Sequence, residues 1–187
     1  MACSNLTTGR NAAAACKIIA GVETVYFSNS DNITAVGVTG SGATEAINSL
    51  TTAAGATGVF YEFKQIQETS SFTVTPTANV QNGSLFYESL LTVVFTDYNA
   101  SLRYTIKTLS ENNLVAVAKM RSGEFVYIGQ GLGLDINGGD GGSGVAAGDR
   151  NGASLEFRAV EANPPLTLDS AFVASTNWTD LINPAVS

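Results

Sequence analysis

The chain of 187 residues contains no histidine, two cysteines, four prolines and one tryptophan. Without histidine there is no Ser-His-Asp or Cys-His catalysis, no imidazole ligand for zinc and no imidazole pH switch. Cys3 and Cys16, with no CxxC pattern, are too few for a zinc site. A disulfide between them would close a short loop near the N-terminus; two free thiols is the plainer reading. Charge is scarce as well, at 13% of residues, against about 25% in an ordinary globular protein. Nine basic and sixteen acidic residues leave a formal net charge of −7. That balance excludes a general nucleic-acid binder, which needs clustered Lys and Arg. No run approaches the ~20 apolar residues of a membrane span. Ala12 to Ala15 is too short for the apolar core of a secretion signal. These absences argue against an enzyme, a cofactor and a membrane anchor, and point to synthesis in a cytoplasm.

What replaces the missing charge is Gly, Ser, Thr, Ala and Asn around an apolar fraction of 44%. Such a surface suits β-structure and subunit packing. Val22–Ser28 and Ile33–Val38 are β-branched and bounded by turn formers, and are predicted strands. Thr44–Gly58 has weak periodicity and is expected to be a loop with a short helix. Val59–Ile66 alternates, with Phe60, Glu62, Lys64 and Ile66 on one face and Tyr61 and Phe63 on the other. Phe72–Thr75 is a short predicted strand ended by Pro76. Asn82-Gly83 is a hairpin signal before the long apolar strand Leu85–Thr96, so that Val59–Thr75 and Leu85–Thr96 are expected to form one long antiparallel pair.

The clearest helix follows. Asp97 or Asn99 can cap it, and Tyr98, Leu102, Ile106 and Leu109 share one face. A hairpin, Leu114–Met120 with Phe125–Ile128, turns at Gly123. Gly129–Gly152 is glycine-rich, with Leu132, Leu134 and Ile136 alternating as a brief strand. Ser154–Val160 is the last clear strand, stopped by Pro164-Pro165. The expected fold class is mainly β, a β-sandwich or barrel with one packed α-helix. Residues 1–165 form a single β-rich domain with an N-terminal extension of about residues 1–15. Residues 166–187 form a C-terminal arm, carrying Trp178, that docks on a partner.

Several patterns touch on chemistry without completing it. Gly129-Gln-Gly-Leu-Gly133 lacks the third glycine of a dinucleotide fingerprint and its βαβ surroundings. Asp135–Gly141 resembles a calcium loop, but Gly139 and Asp140 reverse the required order and Ala146 stands where the bidentate Glu belongs. It is read as a flexible surface loop. Glu62 with Glu68, or Glu88 with Asp97, are carboxylate pairs of the kind a glycosidase uses; solvated strand-face charges is the plainer reading. Tyr61, Phe63, Phe86, Tyr87 and Tyr127 are candidates for stacking on sugars or bases, or for core and interface. Asn5, Asn32, Asn82, Asn99 and Asn177 match glycosylation acceptors only because the chain is rich in Asn, Ser and Thr. No residue is assigned a catalytic, cofactor-binding or metal role.

Taken in order, Cys16-Lys-Ile-Ile-Ala-Gly-Val-Glu-Thr-Val-Tyr-Phe, Leu85–Thr96 with its helix, Gly123-Glu-Phe-Val-Tyr-Ile-Gly and Gly148-Asp-Arg-Asn-Gly-Ala-Ser-Leu-Glu-Phe resemble the tail-tube-like structural proteins of tailed bacteriophages, of the type that infects Bacteroidetes. The resemblance covers about half the chain and lies in order and texture; Gly138–Gly144 and the stretch after Pro165 depart from it. It implies a virion protein of the tail, assembled in the host cytoplasm. Its hexameric rings would stack around a DNA channel, each subunit giving strands to a continuous inner barrel. Its partners would be copies of itself and other tail proteins, with DNA passing through unbound. A head decoration, stopper or baseplate protein is the alternative in the same class. A carbohydrate-binding β-sandwich, using Trp178 or Tyr127, is the alternative outside it.

Overall fold

A computed structural model describes residues 20–183 apart from 54, 55, 80, 82, 147 and 148. The proposed N-terminal extension, Cys3, Cys16, Asn5 and Asn82 lie outside the described residues. The fold is mainly β, as expected, with two sheets.

The larger sheet has eight strands. It takes β1 (Val22–Asn29), β2 (Ile33–Thr39), β3 (Ala46–Thr52), β4 (Phe60–Lys64), β7 (Leu114–Met120), β8 (Phe125–Ile128), β11 (Thr167–Leu168) and β12 (Ile182–Asn183), in the order β12-β4-β1-β7-β8-β11-β3-β2. The smaller sheet has four: β5 (Ser71–Asn79), β6 (Ser84–Thr96), β9 (Asp135–Gly142) and β10 (Gly152–Glu161), in the order β5-β6-β10-β9.

The middle of the large sheet is buried on both faces, and its strand β7 shows why the sequence there is apolar without a break. In β7, Leu114, Ala116 and Ala118 face one core while Val115 and Val117 face the other. The first core lies between the sheets, where Val25, Phe27 and Ile128 meet Leu91, Val93, Leu155 and Phe157. Helix α1 (Ala100–Glu111) borders this core through Leu109, with Ile106 packed beside it. Asn99 caps the helix, its Oδ1 accepting from the Leu102 amide at 2.9 Å.

The second core covers the opposite face and is built largely by the C-terminal stretch. Helices α2 (Ser170–Val173) and α3 (Thr176–Leu181) place Phe172, Trp178 and Leu181 against Tyr26, Phe60, Val117 and Tyr127. The stretch expected to be an arm therefore folds back on its own domain through residue 183. Trp178 is 2% exposed, because an indole this size finds more apolar contact among Tyr26, Phe60, Phe125 and Phe172 than water allows.

Four further expectations are corrected. Within Thr44–Gly58 lies a strand, β3, whose register slips by one residue opposite Gly37 and Val38. That bulge turns Ile47 and Leu50 to the same core despite their spacing of three. Val59–Thr75 does not run as one strand: β4 pairs with β1, β5 pairs with β6, and the chain changes sheets between them. Pro76 does not end β5, because β5 is an edge strand, where a missing N–H is tolerated. Finally, the brief strand expected from Leu132 starts later, as β9 over the glycine-rich Asp135–Gly142.

Candidate functional site

The glycine-rich stretch after β8 is the most structured of the motifs, and it does hold an anion, its own Glu161. Gly129 and Gly133 both take positive φ, +89° and +86°, and close the loop on itself. A Cβ on Gly133 would lie 1.8 Å from Asn113 Oδ1, so only glycine fits. Leu114 and Leu134 exchange backbone hydrogen bonds at the loop's base, at 3.2 and 2.7 Å. Asn113 Nδ2 donates to the Leu132 carbonyl at 3.2 Å. At the mouth, the Gly131 amide donates to Glu161 Oε1 at 3.3 Å. The Gln130 and Gly129 amides lie near enough to this carboxylate to favour its charged form. Glu161 is 9% exposed. Burial raises its pKa, against the opposing pull of these three amides.

The calcium-like run Asp135–Gly141 is strand rather than loop. It pairs with β10 over Asp135↔Arg158 to Gly142↔Gly152, with a shift opposite Glu156 and Phe157. Asp140 is taken by Arg150 at 2.7 Å. Among the described residues no group of three Asp, Glu or Cys side chains is arranged to hold a metal ion. Glycine suits the strand where neighbours crowd it: a Cβ at Gly139 would meet the Ser154 carbonyl at 2.5 Å.

Glu88 and Asp97 do not converge. They are nine positions apart along an extended strand, roughly 30 Å, far beyond the roughly 5–10 Å of a glycosidase pair. Glu88 accepts from Arg158 Nε at 2.6 Å, and this bond holds its pKa below the usual carboxylate range. Glu62 accepts from the Tyr26 hydroxyl at 3.5 Å and meets Lys64 Nζ at 3.9 Å. Glu68 sits in a turn at φ +62°. Burial, followed by the charge of Glu62, pushes the Tyr26 phenol up to about 12.

Two hollows of about 430 and 440 Å³ open on the surface. The first lies between β4 and α1 over Phe27, Phe63 and Leu109, flanked by Tyr61 and Tyr104. The second lies over β9 beside Tyr98 and Ile106, with Asp140 as its only carboxylate. Neither holds an acid–base pair. Of the stacking candidates, Tyr127 and Trp178 are buried, each 2% exposed, and Phe86 and Tyr87 are half-buried. Phe63 packs on the first core, and Tyr61 remains 54% exposed.

One edge of the large sheet is β2, Ile-Thr-Ala-Val-Gly-Val-Thr. Among the described residues it pairs with β3 on one side and ends the sheet on the other. It carries no charge and no proline, and Val38 is 40% exposed. Among the described residues no helix is long and apolar enough to cross a membrane. No family model, no curated protein and no solved structure matches this chain.

Proposed function

We propose that this chain is a virion structural subunit, the tail tube protein of a tailed phage. It assembles with copies of itself into stacked hexameric rings that form a DNA conduit, and it performs no catalysis. The observation that carries the reading is the bare edge β2. Solitary proteins blunt such edges with Lys, Pro or a covering element. Here, among the described residues, seven uncharged residues end an eight-stranded sheet and no strand pairs with their outward side. A ring of subunits satisfies an edge of this kind by continuing the sheet from one copy to the next. The scarcity of charge suits a surface covered by copies of itself. The net charge of −7 suits a channel through which phosphates slide without sticking.

The test is negative-stain electron microscopy of the full chain, alongside light scattering on a sizing column. Rings or tubes are the expected result. Monodisperse monomer at high concentration, with neither, overturns the proposal. Ring symmetry and position in the virion separate a tube subunit from a decoration, stopper or baseplate protein.

A further inference from the structure

The hollow of about 430 Å³ between β4 and α1 has the volume of a small-ligand site, roughly 300–1,000 Å³. Its floor is apolar, with Phe27, Phe63 and Leu109 at the border of the first core. Each wall carries a tyrosine, Tyr61 from β4 and Tyr104 from α1, 54% and 71% exposed. Both stand on fixed backbone. Tyr61 pairs with Phe27 of β1 on one side and with Asn183 of β12 on the other. Tyr104 lies mid-helix, between the buried Leu102 and Leu109. Two rings held in water on opposite walls of one hollow are a stacking surface that the core does not use.

The polar groups of the hollow divide into two sets. Ser28 Oγ donates to the Asn29 carbonyl at 3.4 Å, and Thr108 Oγ1 to the Tyr104 carbonyl at 3.0 Å. The Asn29 side-chain amide, the Thr105 hydroxyl and the two phenols have no hydrogen-bond partner among the described residues. No Asp, Glu, Lys or Arg is among the described residues that line the hollow.

This combination selects a ligand. A charged molecule would find no counter-charge. A hydrocarbon would cover the amide and the hydroxyls without bonding them, which is costly. A pyranose ring meets both demands, with C–H faces to stack on tyrosine and hydroxyls around its rim. We propose that the hollow is a binding site for a neutral sugar, held between Tyr61 and Tyr104 and hydrogen-bonded by Asn29 and Thr105. The site is separate from Trp178 and Tyr127, whose rings are closed off in the second core. It goes beyond the assembly reading and does not rest on it.

The experiment is saturation-transfer NMR with titration calorimetry on the full chain, using the methyl glycosides of glucose, galactose, mannose and N-acetylglucosamine. At least one should bind saturably, with transfer strongest to the protons of a C–H face. Tyr61→Ala and Tyr104→Ala should each weaken binding about tenfold. Thr105→Val, nearly the same in shape, should weaken it as well, and all three should keep the wild-type circular dichroism spectrum. If Tyr61→Ala does not fold, the other two variants decide. Absence of saturable binding by all four glycosides overturns the proposal. So does undiminished binding by the variants, which would put the sugar elsewhere, and so does binding of phenol in place of any glycoside. Tighter binding of glucuronate or glucosamine than of methyl glucoside overturns the choice of a neutral ligand. Rings without sugar binding would leave the assembly reading standing alone, and sugar binding by a monomer would leave this one.

Discussion

The ring of Trp178 meets that of Tyr26 edge-on, with centroids 5.5 Å apart and planes at 78°. This contact joins the last helix to the first strand. Phe60 at 5.6 Å, Phe125 at 6.0 Å and Phe172 at 6.1 Å complete the cluster. Trp178→Ala removes its centre and should cost about 3–5 kcal/mol, read as a lowered denaturant midpoint. Because Trp178 is the only tryptophan, native emission should be blue-shifted and should move red on unfolding. Red-shifted emission from the native protein would contradict the burial.

Two neighbouring glycines of β9 should respond differently to the same change. A Cβ at Gly138 meets nothing within 4 Å, whereas one at Gly139 runs into the Ser154 carbonyl. Gly138→Ala should leave stability within about 0.5 kcal/mol. Gly139→Ala should lower it by about 1–3 kcal/mol, the range of overpacking. Thermal melts of the two variants side by side check the contrast.

Acid should act on stability through groups of opposite sign. Glu88, held down by its Arg158 hydrogen bond, contributes stability above the ordinary carboxylate range that is lost as pH falls through its pKa. Asp149, held down by the amides of Ala146 and Val145, behaves the same way. Glu161, raised by burial, contributes in the other direction: its stabilisation is complete below the unfolded pKa and is lost as pH rises through the folded one. Replacing Glu161 with Gln should therefore raise global stability at neutral pH and steepen the loss on acidification. Urea midpoints measured from pH 3 to 7 for both proteins test the sign.

The edge β2 offers a variant that separates assembly from folding. Val38 is half-exposed, so Val38→Lys should leave the circular dichroism spectrum and melting temperature nearly unchanged. It should also sharply reduce rings and higher oligomers in light scattering, since an edge lysine opposes strand addition. Undiminished assembly by this variant would remove β2 from the interface.

The parts of the fold legible in the sequence are those where local pattern and tertiary role agree. The β7–β8 hairpin turns at Gly123, φ +92°. Leu155, Phe157 and Ala159 alternate inward along β10. Asn99 caps α1, and Leu102 and Leu109 are buried on the expected face. What escaped reading depends on distant partners. β3 hides its apolar positions behind a bulge, and β9 has almost no side chains and is a strand because β10 aligns it. The sheet change between β4 and β5 leaves no local mark. The role of the glycine loop lay 30 residues away in Glu161, and neither segment alone signals the other. Polar sequence neighbours suggest that Trp178 sits on an arm docking on a partner; its aromatic neighbours, Tyr26, Phe60, Phe125 and Phe172, are mostly remote in the chain.

One small strand sets an order of events. The hairpin of β2 and β3 joins the rest of the large sheet through β11, two residues long, with Thr167 and Leu168 running beside Ala46 and Ile47. The Asp169 amide adds a bond to the Ile47 carbonyl, and the Tyr127 amide one to that of Leu166. A growing chain makes β2 early but gives it a fixed place only once residue 169 has been made and docked. Until then the hairpin lacks its bridge to β8, and its edge has no defined position in the sheet. In the proposed assembly, timing of this kind would delay association until each subunit has nearly finished folding, and would keep half-made chains from joining one another through an unpaired edge.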